Sequence, residues 1–347
     1  MSSAPRSSWP AWAATKPVVL NQSGLKEYQN CQRLYGWRRV AGLEPVGRRS
    51  APEIGTAVHA GLAVVHAPNG TLEAALEATT SKLEERIGPG GAFEDKSGDE
   101  SKEIATKVLS DYVAFWGGRE DVWKPLNQEV QFIIEIQPGW AERVYYNAEP
   151  YFGTGTAEDP YVLRPPLPKT GVFLRGRLDN LSIHAGALWI VDYKTAGRMD
   201  PRDLLKYEMD TQLTAYIYGV SKQLSEQHGE PVRIEGAIID LLVKTKVSQF
   251  AREKYTRAEA ELVEFENEFV EIGARLREQH LRVDAGEDWK VVFPKSTEHC
   301  FRYGTCPMRD LCLHDTPIRR ALYNPKSPDY VDEAWAELTE KWQKENA

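Results

Sequence analysis

The sequence predicts an α/β protein: a central mixed sheet flanked by helices, with a helical elaboration before it and a cysteine-bearing segment after it. Three observations carry that expectation. Segments of alternating or continuous apolar residues ("NQEVQFIIEI", "GRLDNLSIHAGALWIVDYK", "IEGAIIDLLV") read as strands. Segments with apolar residues every three or four positions stand between and around them, so helices and strands intermix. Finally, three of only four cysteines, Cys300, Cys306 and Cys312, bunch near the C-terminal end, far from Cys31.

In chain order, residues 1–19 ("MSSAPRSSWPAWAATKPVV") are broken by proline and weakly charged, and read as a disordered arm, not a secretion signal. "NQSGLKEYQNCQRLYGWRRV" has helical spacing, with Asn21 or Ser23 as its cap. "APEIGTAVHAGLAVVHA" and residues 71–87 are two further helices, and a fourth runs over 101–116 after a glycine-rich loop. "NQEVQFIIEI" alternates as a strand. Residues 137–171, rich in Pro, Gly and Tyr, read as an insertion loop or a short extra hairpin. The hairpin over 176–194 follows, then a helix around 201–224, the strand "IEGAIIDLLV", and a long helix over about 256–280. After the cysteine segment an acidic helix is expected near 331–345. A single domain over 20–325 with a C-terminal helical tail over 326–347 accounts for this order.

The composition narrows the class. With 41% hydrophobic and 27% charged residues over 347 positions, the chain is of ordinary globular make-up. No apolar run reaches membrane-spanning length, and a cytoplasmic location is expected. A net charge of −8 argues against indiscriminate polyanion binding but leaves room for a local basic site. No GxxxxGK[ST] pattern occurs, so a motor acting with this chain must be a separate helicase.

The hairpin holds the first chemistry. With Ala185 and Gly186 as its turn, residues whose numbers sum to 371 lie opposite, which sets Asp179 against Asp192. Lys194 shares their face two residues on, and Leu181, Ile183, Leu188 and Ile190 complete it as core. Two carboxylates so close repel unless a cation sits between them. Oxygen ligands select a hard ion, Mg²⁺ or Mn²⁺, and a lysine beside it can orient or deprotonate water for phosphodiester hydrolysis. The same residues read equally well as a solvated surface ion pair.

In "GRLDNL…WIVDYKTA" the pattern resembles the core signature of the PD-(D/E)XK nuclease superfamily, with a restriction-endonuclease-like core. "DTQLTAYIYG", with Gln212 and Tyr216 one helical turn apart, is similar to the QxxxY motif of its RecB-like branch. "GTAVHAG" places His59 where that branch carries a metal-binding histidine. The resemblance implies that His59, Asp179, Asp192 and the backbone carbonyl of Tyr193 hold the ion, with Lys194, Gln212 and Tyr216 in the catalytic wall. Glu129, opening the strand before the insertion, is an additional acidic residue of the kind such nucleases often carry.

The bunched cysteines point to a metal or cluster site before disulfides. Four thiolates suit either a [4Fe–4S] cluster or tetrahedral Zn²⁺. The one-plus-three layout resembles the iron–sulfur nucleases of the RecB and AddB type, including the CRISPR-adaptation exonucleases, which implies the cluster. The gap between Cys300 and Cys306 is longer than is often found there. Such a site would clamp the two ends of the domain together.

Arg33, Arg38, Arg39, Arg48 and Arg49 interleave with Tyr35 and Trp37 and have only Glu44 as an acidic neighbour, which suits a track for single-stranded DNA. The expected activity is therefore a metal-dependent DNA exonuclease acting on single strands or ends, in recombination, repair or phage DNA processing. The rival reading is a nuclease-like scaffold that binds DNA or a recombination protein without cutting.

Overall fold

The structure, a computed structural model, describes residues 17–47, 49–87, 92–117, 123–141, 151–152, 162–163, 170–200, 204–302 and 304–325. The expected acidic helix, most of the expected arm and Arg48 lie outside these residues.

The first strand, β1 (Val18–Asn21), turns directly into α1 (Gln22–Asn30). Asn21 caps the helix by accepting from Gly24 N at 2.7 Å, as its short polar side chain favours. The helix breaks at Cys31, whose backbone is extended, and resumes as α2 (Gln32–Tyr35) and a π-helical turn over Gly36–Val40. β2 (Leu43–Pro45) follows, then three helices: α3 (Ser50–Val65), α4 (Leu72–Arg86) and α5 (Gly98–Trp116). The long strand β3 (Lys124–Glu135) leads to the insertion. There the described backbone forms a two-residue antiparallel ladder of β4 (Tyr151–Phe152) with β5 (Val162–Leu163).

The hairpin is β6 (Val172–His184) and β7 (Ala187–Ala196). Its turn is the expected one, with Ala185 and Gly186 both at positive φ (49° and 81°), as a two-residue hairpin requires. Recorded pairs run from His184 opposite Ala187 to Asn180 opposite Val191 in the register read from the sequence, but the ladder ends there and the expected Asp179–Asp192 pair is not formed. After α6 (Thr211–His228) come β8 (Gly236–Val243), β9 (Gln249–Thr256) and α7 (Glu259–Asp284). α6 begins later than the sequence suggested: Asp210 accepts from both Gln212 N and Leu213 N and so starts the helix there. Short helices over Trp289–Val292, Arg309–Leu313 and Pro317–Arg320 precede β10 (Tyr323–Pro325).

The main sheet runs β1-β6-β7-β8-β9, with β3 on the other edge of β6. β1–β6 and β7–β8 are parallel and the remaining pairs antiparallel, so the sheet is mixed. Alternate residues send opposite faces into two cores. Ile190 and Ile239 join Leu213, Ile217, Leu262 and Phe269 under α6 and α7. Val191, Tyr193, Ile238 and Leu242 join Ile54, Val58 and Leu109 under α3 and α5. A third, smaller cluster of Trp37, Trp289, Met308, Leu311 and Tyr323 ties the early chain to the cysteine segment, and β2 pairs with β10 beside it.

One feature of the topology positions the site. β3 occupies one edge of β6 along nearly its whole length. The other edge is shared: β7 takes residues 180–184 and β1 takes 172–175. Residues 176–179 therefore have no ladder partner on that edge, and β7 splays away from them. Asp179 stands in that opening.

Candidate active site

The splay leaves backbone groups of β7 facing a gap, and the Asp179 side chain fills part of it. Tyr193 N donates to Asp179 Oδ2 at 2.8 Å, replacing the missing ladder bond. A strand residue directs its N–H and C=O to the same edge, so the Tyr193 carbonyl faces the same gap. Asp179 Oδ1 lies 3.2 Å from His59 Nδ1, on α3. Burial acts to raise the Asp179 carboxyl, but His59, the Tyr193 amide and Lys194 outweigh it and hold the group below the usual carboxylate range. Burial likewise acts to lower His59, and Asp179 overrides it, raising the imidazole.

Asp192 is 3% exposed, on the face of β7 toward α6. Lys194 Nζ is 2.7 Å from Asp192 Oδ2 and donates to Gln212 Oε1 at 3.0 Å. Gln212 Nε2 reaches Asp192 Oδ1 at 3.3 Å and Tyr216 OH at 2.9 Å. One glutamine, one turn before Tyr216 on α6, thus clamps both the acid and the lysine. Burial, with Asp179 adding repulsion, pushes the Asp192 carboxyl up against the pull of Lys194. Lys194 loses charge preference to burial but regains more from Asp192, and its amine is raised. The lysine therefore stands as an ammonium, a donor that orients and not a base.

The sequence-marked residues thus converge from four elements: His59 on α3, Asp179 on β6, Asp192, Tyr193 and Lys194 on β7, Gln212 and Tyr216 on α6. Glu129 does not join them. Its backbone takes φ 51°, and its carboxylate pairs with Arg177 at 3.1 Å, with both side chains largely exposed.

The donor set suits a hard divalent ion: two carboxylates, an imidazole and a peptide carbonyl. Asp192 Oδ2 is buried, and its one neighbour among the described charged groups is the Lys194 ammonium at 2.7 Å. As placed, the ligand atoms close on each other, His59 on Asp179 and Lys194 on Asp192. Among the described residues no three His, Cys, Asp or Glu side chains form a group ready to hold a metal. A bound ion would share Asp192 with Lys194 and exchange the histidine–aspartate contact for its own.

The cysteines are brought into one neighbourhood. Cys31, at the break between α1 and α2, accepts from Ser296 N at 3.3 Å, while Cys300 Sγ lies 3.8 Å from Ser296 O. Cys306 N donates to Cys300 O at 2.8 Å. Burial raises the Cys306 and Cys312 thiols, and the other cysteines add to that rise. All four are free thiols.

The expected arginine track takes a different form. Arg38 and Arg39 both close on the buried Glu27 at 2.7 Å. Arg33 donates to Phe293 O at 2.7 Å and to Lys290 O, and lies over the Trp289 ring. Arg33 thus ties the early chain to the segment before the cysteines, Arg38 and Arg39 are held within the early chain, and of the described four only Arg49 is exposed. Conversely, Asp240 went unmarked in the sequence, although a carboxylate inside "IIDLLV" signals a buried polar site. It accepts from Tyr112 OH at 2.7 Å and Arg252 Nε at 3.2 Å, behind β7.

The mixed sheet thus opens at two carboxylates and a lysine, with a histidine from a packed helix. The chain belongs to the PD-(D/E)XK nuclease superfamily, whose profile matches residues 19–313. That span holds the hairpin and all four cysteines. Among solved structures, the chain is similar to "Putative exonuclease" from Eubacterium rectale at 14% identity and a TM-score of 0.43, over 91% of this chain and 94% of that one. It is similar to SSO0001 at 13% identity and a TM-score of 0.26, over 62% of this chain and 74% of that one. Likeness of this degree says nothing of activity. No curated protein matches the chain. Among the described residues no helix is long and apolar enough to cross a membrane.

Proposed function

We propose that the chain is a metal-dependent DNA exonuclease of the RecB- and AddB-like branch, acting on single strands or DNA ends. The observation that carries this reading is the meeting of His59, Asp179, Asp192 and Lys194 at the opening between β6 and β7. His59, Asp179, Asp192 and the Tyr193 carbonyl would hold Mg²⁺ or Mn²⁺. When bound, the ion supplies positive charge against the charge that develops on the phosphate. Lys194, kept protonated by Asp192, donates toward a water or a phosphate oxygen in the opening. Gln212 fixes the rotamers of Asp192 and Lys194 together, and Tyr216 steadies Gln212.

Cys31, Cys300, Cys306 and Cys312 would hold a [4Fe–4S] cluster, with structural Zn²⁺ as the other occupant four thiolates allow. Support comes from Cys31 and Cys300 meeting at Ser296, from the Cys306–Cys300 backbone bond, and from Cys306 and Cys312 packing on the hydrophobic cluster that joins both chain ends. Iron and acid-labile sulfide in anaerobically purified protein would establish the cluster; zinc alone would replace it.

In this reading one nuclease domain covers about 20–325. It works in the cytoplasm in recombination, repair or phage DNA processing, on DNA exposed by a separate helicase or recombination protein. The decisive experiment is digestion of end-labelled single- and double-stranded DNA with Mg²⁺, Mn²⁺ or EDTA, comparing wild type with Asp192→Ala. Metal-dependent release lost in the variant is expected, and 5′ against 3′ labels give the direction. Tight DNA binding with no cleavage by the metal-loaded wild type would establish a non-cutting scaffold instead.

A further inference from the structure

Lys244 stands just past the end of β8. Its backbone N–H donates to Ala196 O, the last residue of β7, at 2.7 Å. By alternation its side chain takes the face of Asp240 and Leu242, the one covered by α3. There Nζ donates to Ala51 O, in the first turn of α3, at 3.0 Å, and to Thr195 Oγ1 at 3.3 Å. Both partners are neutral. Lys194, Lys222 and Lys290 each have a carboxylate within 3.0 Å. Lys244 has none among the described residues; of the acids around the start of α3, Asp95 accepts from Ser50 N and Oγ and Glu53 pairs with Arg86 at 3.6 Å. Burial alone pulls the Lys244 amine down to about 8. A cation removed from water without a counter-charge is costly, and an arriving anion would repay that cost.

The position relative to the site is set by α3. Ala51, Gly55 and His59 lie four residues apart along one helix face. Gly55 presses that face onto β7: a Cβ there would meet Thr195 Oγ1 at 2.8 Å. Ala51 and His59 are eight residues apart, so Lys244 lies about 12 Å along α3 from the His59–Asp179 contact. That is farther than one phosphodiester unit spans. Two exposed cations, Arg49 before α3 and Lys246 after Lys244, stand at the same end.

We infer that Lys244 and Thr195 form a phosphate subsite that grips a backbone phosphodiester neighbouring the one cut, holding the strand at the N-terminal end of α3. The ligand is nucleic-acid backbone, its non-bridging oxygens accepting from Nζ and Oγ1. This rests on the nuclease reading above.

The test uses the full chain in two arms. In the first, single-stranded DNA binding without divalent metal is measured for wild type, Lys244→Gln and Lys244→Arg across salt. The glutamine variant is expected to bind about three- to ten-fold more weakly, with a salt slope smaller by about 0.7, and the arginine variant to recover both. In the second, cleavage of strands carrying one neutral methylphosphonate at successive linkages is followed. A linkage near, but not at, the cut should raise KM for wild type and leave Lys244→Gln, whose KM is already raised at constant kcat, unaffected. Unchanged affinity in Lys244→Gln, or weaker binding with the wild-type salt slope in a chain that melts early, overturns the subsite. The two readings fail separately. Cleavage with a Lys244-independent slope defeats the subsite alone, and a Lys244-dependent slope without any cleavage defeats the nuclease alone.

Discussion

Asp192 and Asp240 invite comparison, because they are nearly alike in every local respect and serve different ends. They sit on adjacent parallel strands, both buried and each beside a basic side chain. In both, burial pushes the carboxyl up, for Asp240 to about 6. The difference lies in what closes over them. Arg252, the partner of Asp240, is 8% exposed and sandwiched at 3.6 Å and 4.2 Å from the Trp116 and Trp123 rings. Lys194, the partner of Asp192, keeps 26% of its side chain exposed, and a second carboxylate and a histidine stand across the gap. A buried acid–base pair is therefore no mark of a site by itself. An opening and a convergent second acid make it one.

That contrast is sharpened most by substituting the acids themselves. Asp192→Asn is expected to lower the cleavage rate about a thousand-fold or more, measured under single turnover, while leaving the melting temperature equal or higher because a repelled, desolvated charge is removed. A variant that still cleaves at near wild-type rate would break the assignment of roles. Behind the strand the order reverses. Arg252→Met strands the Asp240 carboxylate in the core and should cost about 3–5 kcal/mol in urea unfolding, with kcat within a few-fold of wild type. An equal loss of activity would show that the rear network also tunes the site.

The pH dependence separates the pair again. Because the folded state holds Asp240 up to about 6, against 3.8 ordinarily, it keeps a proton over that interval which the unfolded chain has released. This contribution is complete below about 4 and is lost as pH rises through about 6. The stability of wild type relative to Asp240→Asn should therefore fall by about 2–3 kcal/mol across that window and then level off. A flat difference would mean that Arg252 keeps Asp240 ionised throughout. The smallest effect serves as a control at the hairpin tip, remote from both acids. Gly186 has φ 81° with nothing near its missing Cβ, so Gly186→Ala should cost about 1 kcal/mol through conformation alone and leave cleavage unchanged.

Much of the site was legible because it is written in short-range pattern. The turn at Ala185 and Gly186 and the strand period together set the register that aligns the two acidic strands. The four-residue spacing put Gln212 and Tyr216 on one face of α6. Elements that lack such a pattern escaped. β1 is only four residues long and gains its identity from β6. β9 is an edge strand on which Glu253 and Lys254 face water while Arg252 turns inward to Asp240, so "QFAREKYT" shows no apolar alternation. The basic stretch after Cys31 looked like a DNA track because Glu27, which claims Arg38 and Arg39, sits at a separation no local period connects.

By itself, then, the sequence determined the hairpin, its register and the kinds of side chain it carries, since each depends on neighbours a few positions away. Only the tertiary structure decided which buried aspartate is open. α5 brings Tyr112 against Asp240, and Arg252 on β9 closes under two tryptophans, whereas the handover of the β6 edge from β7 to β1 leaves a gap before Asp192. The same handover leaves α3 facing the opening, with His59 at one end and Lys244 at the other. Burial and access are set by which distant elements pack together, and no local period encodes that.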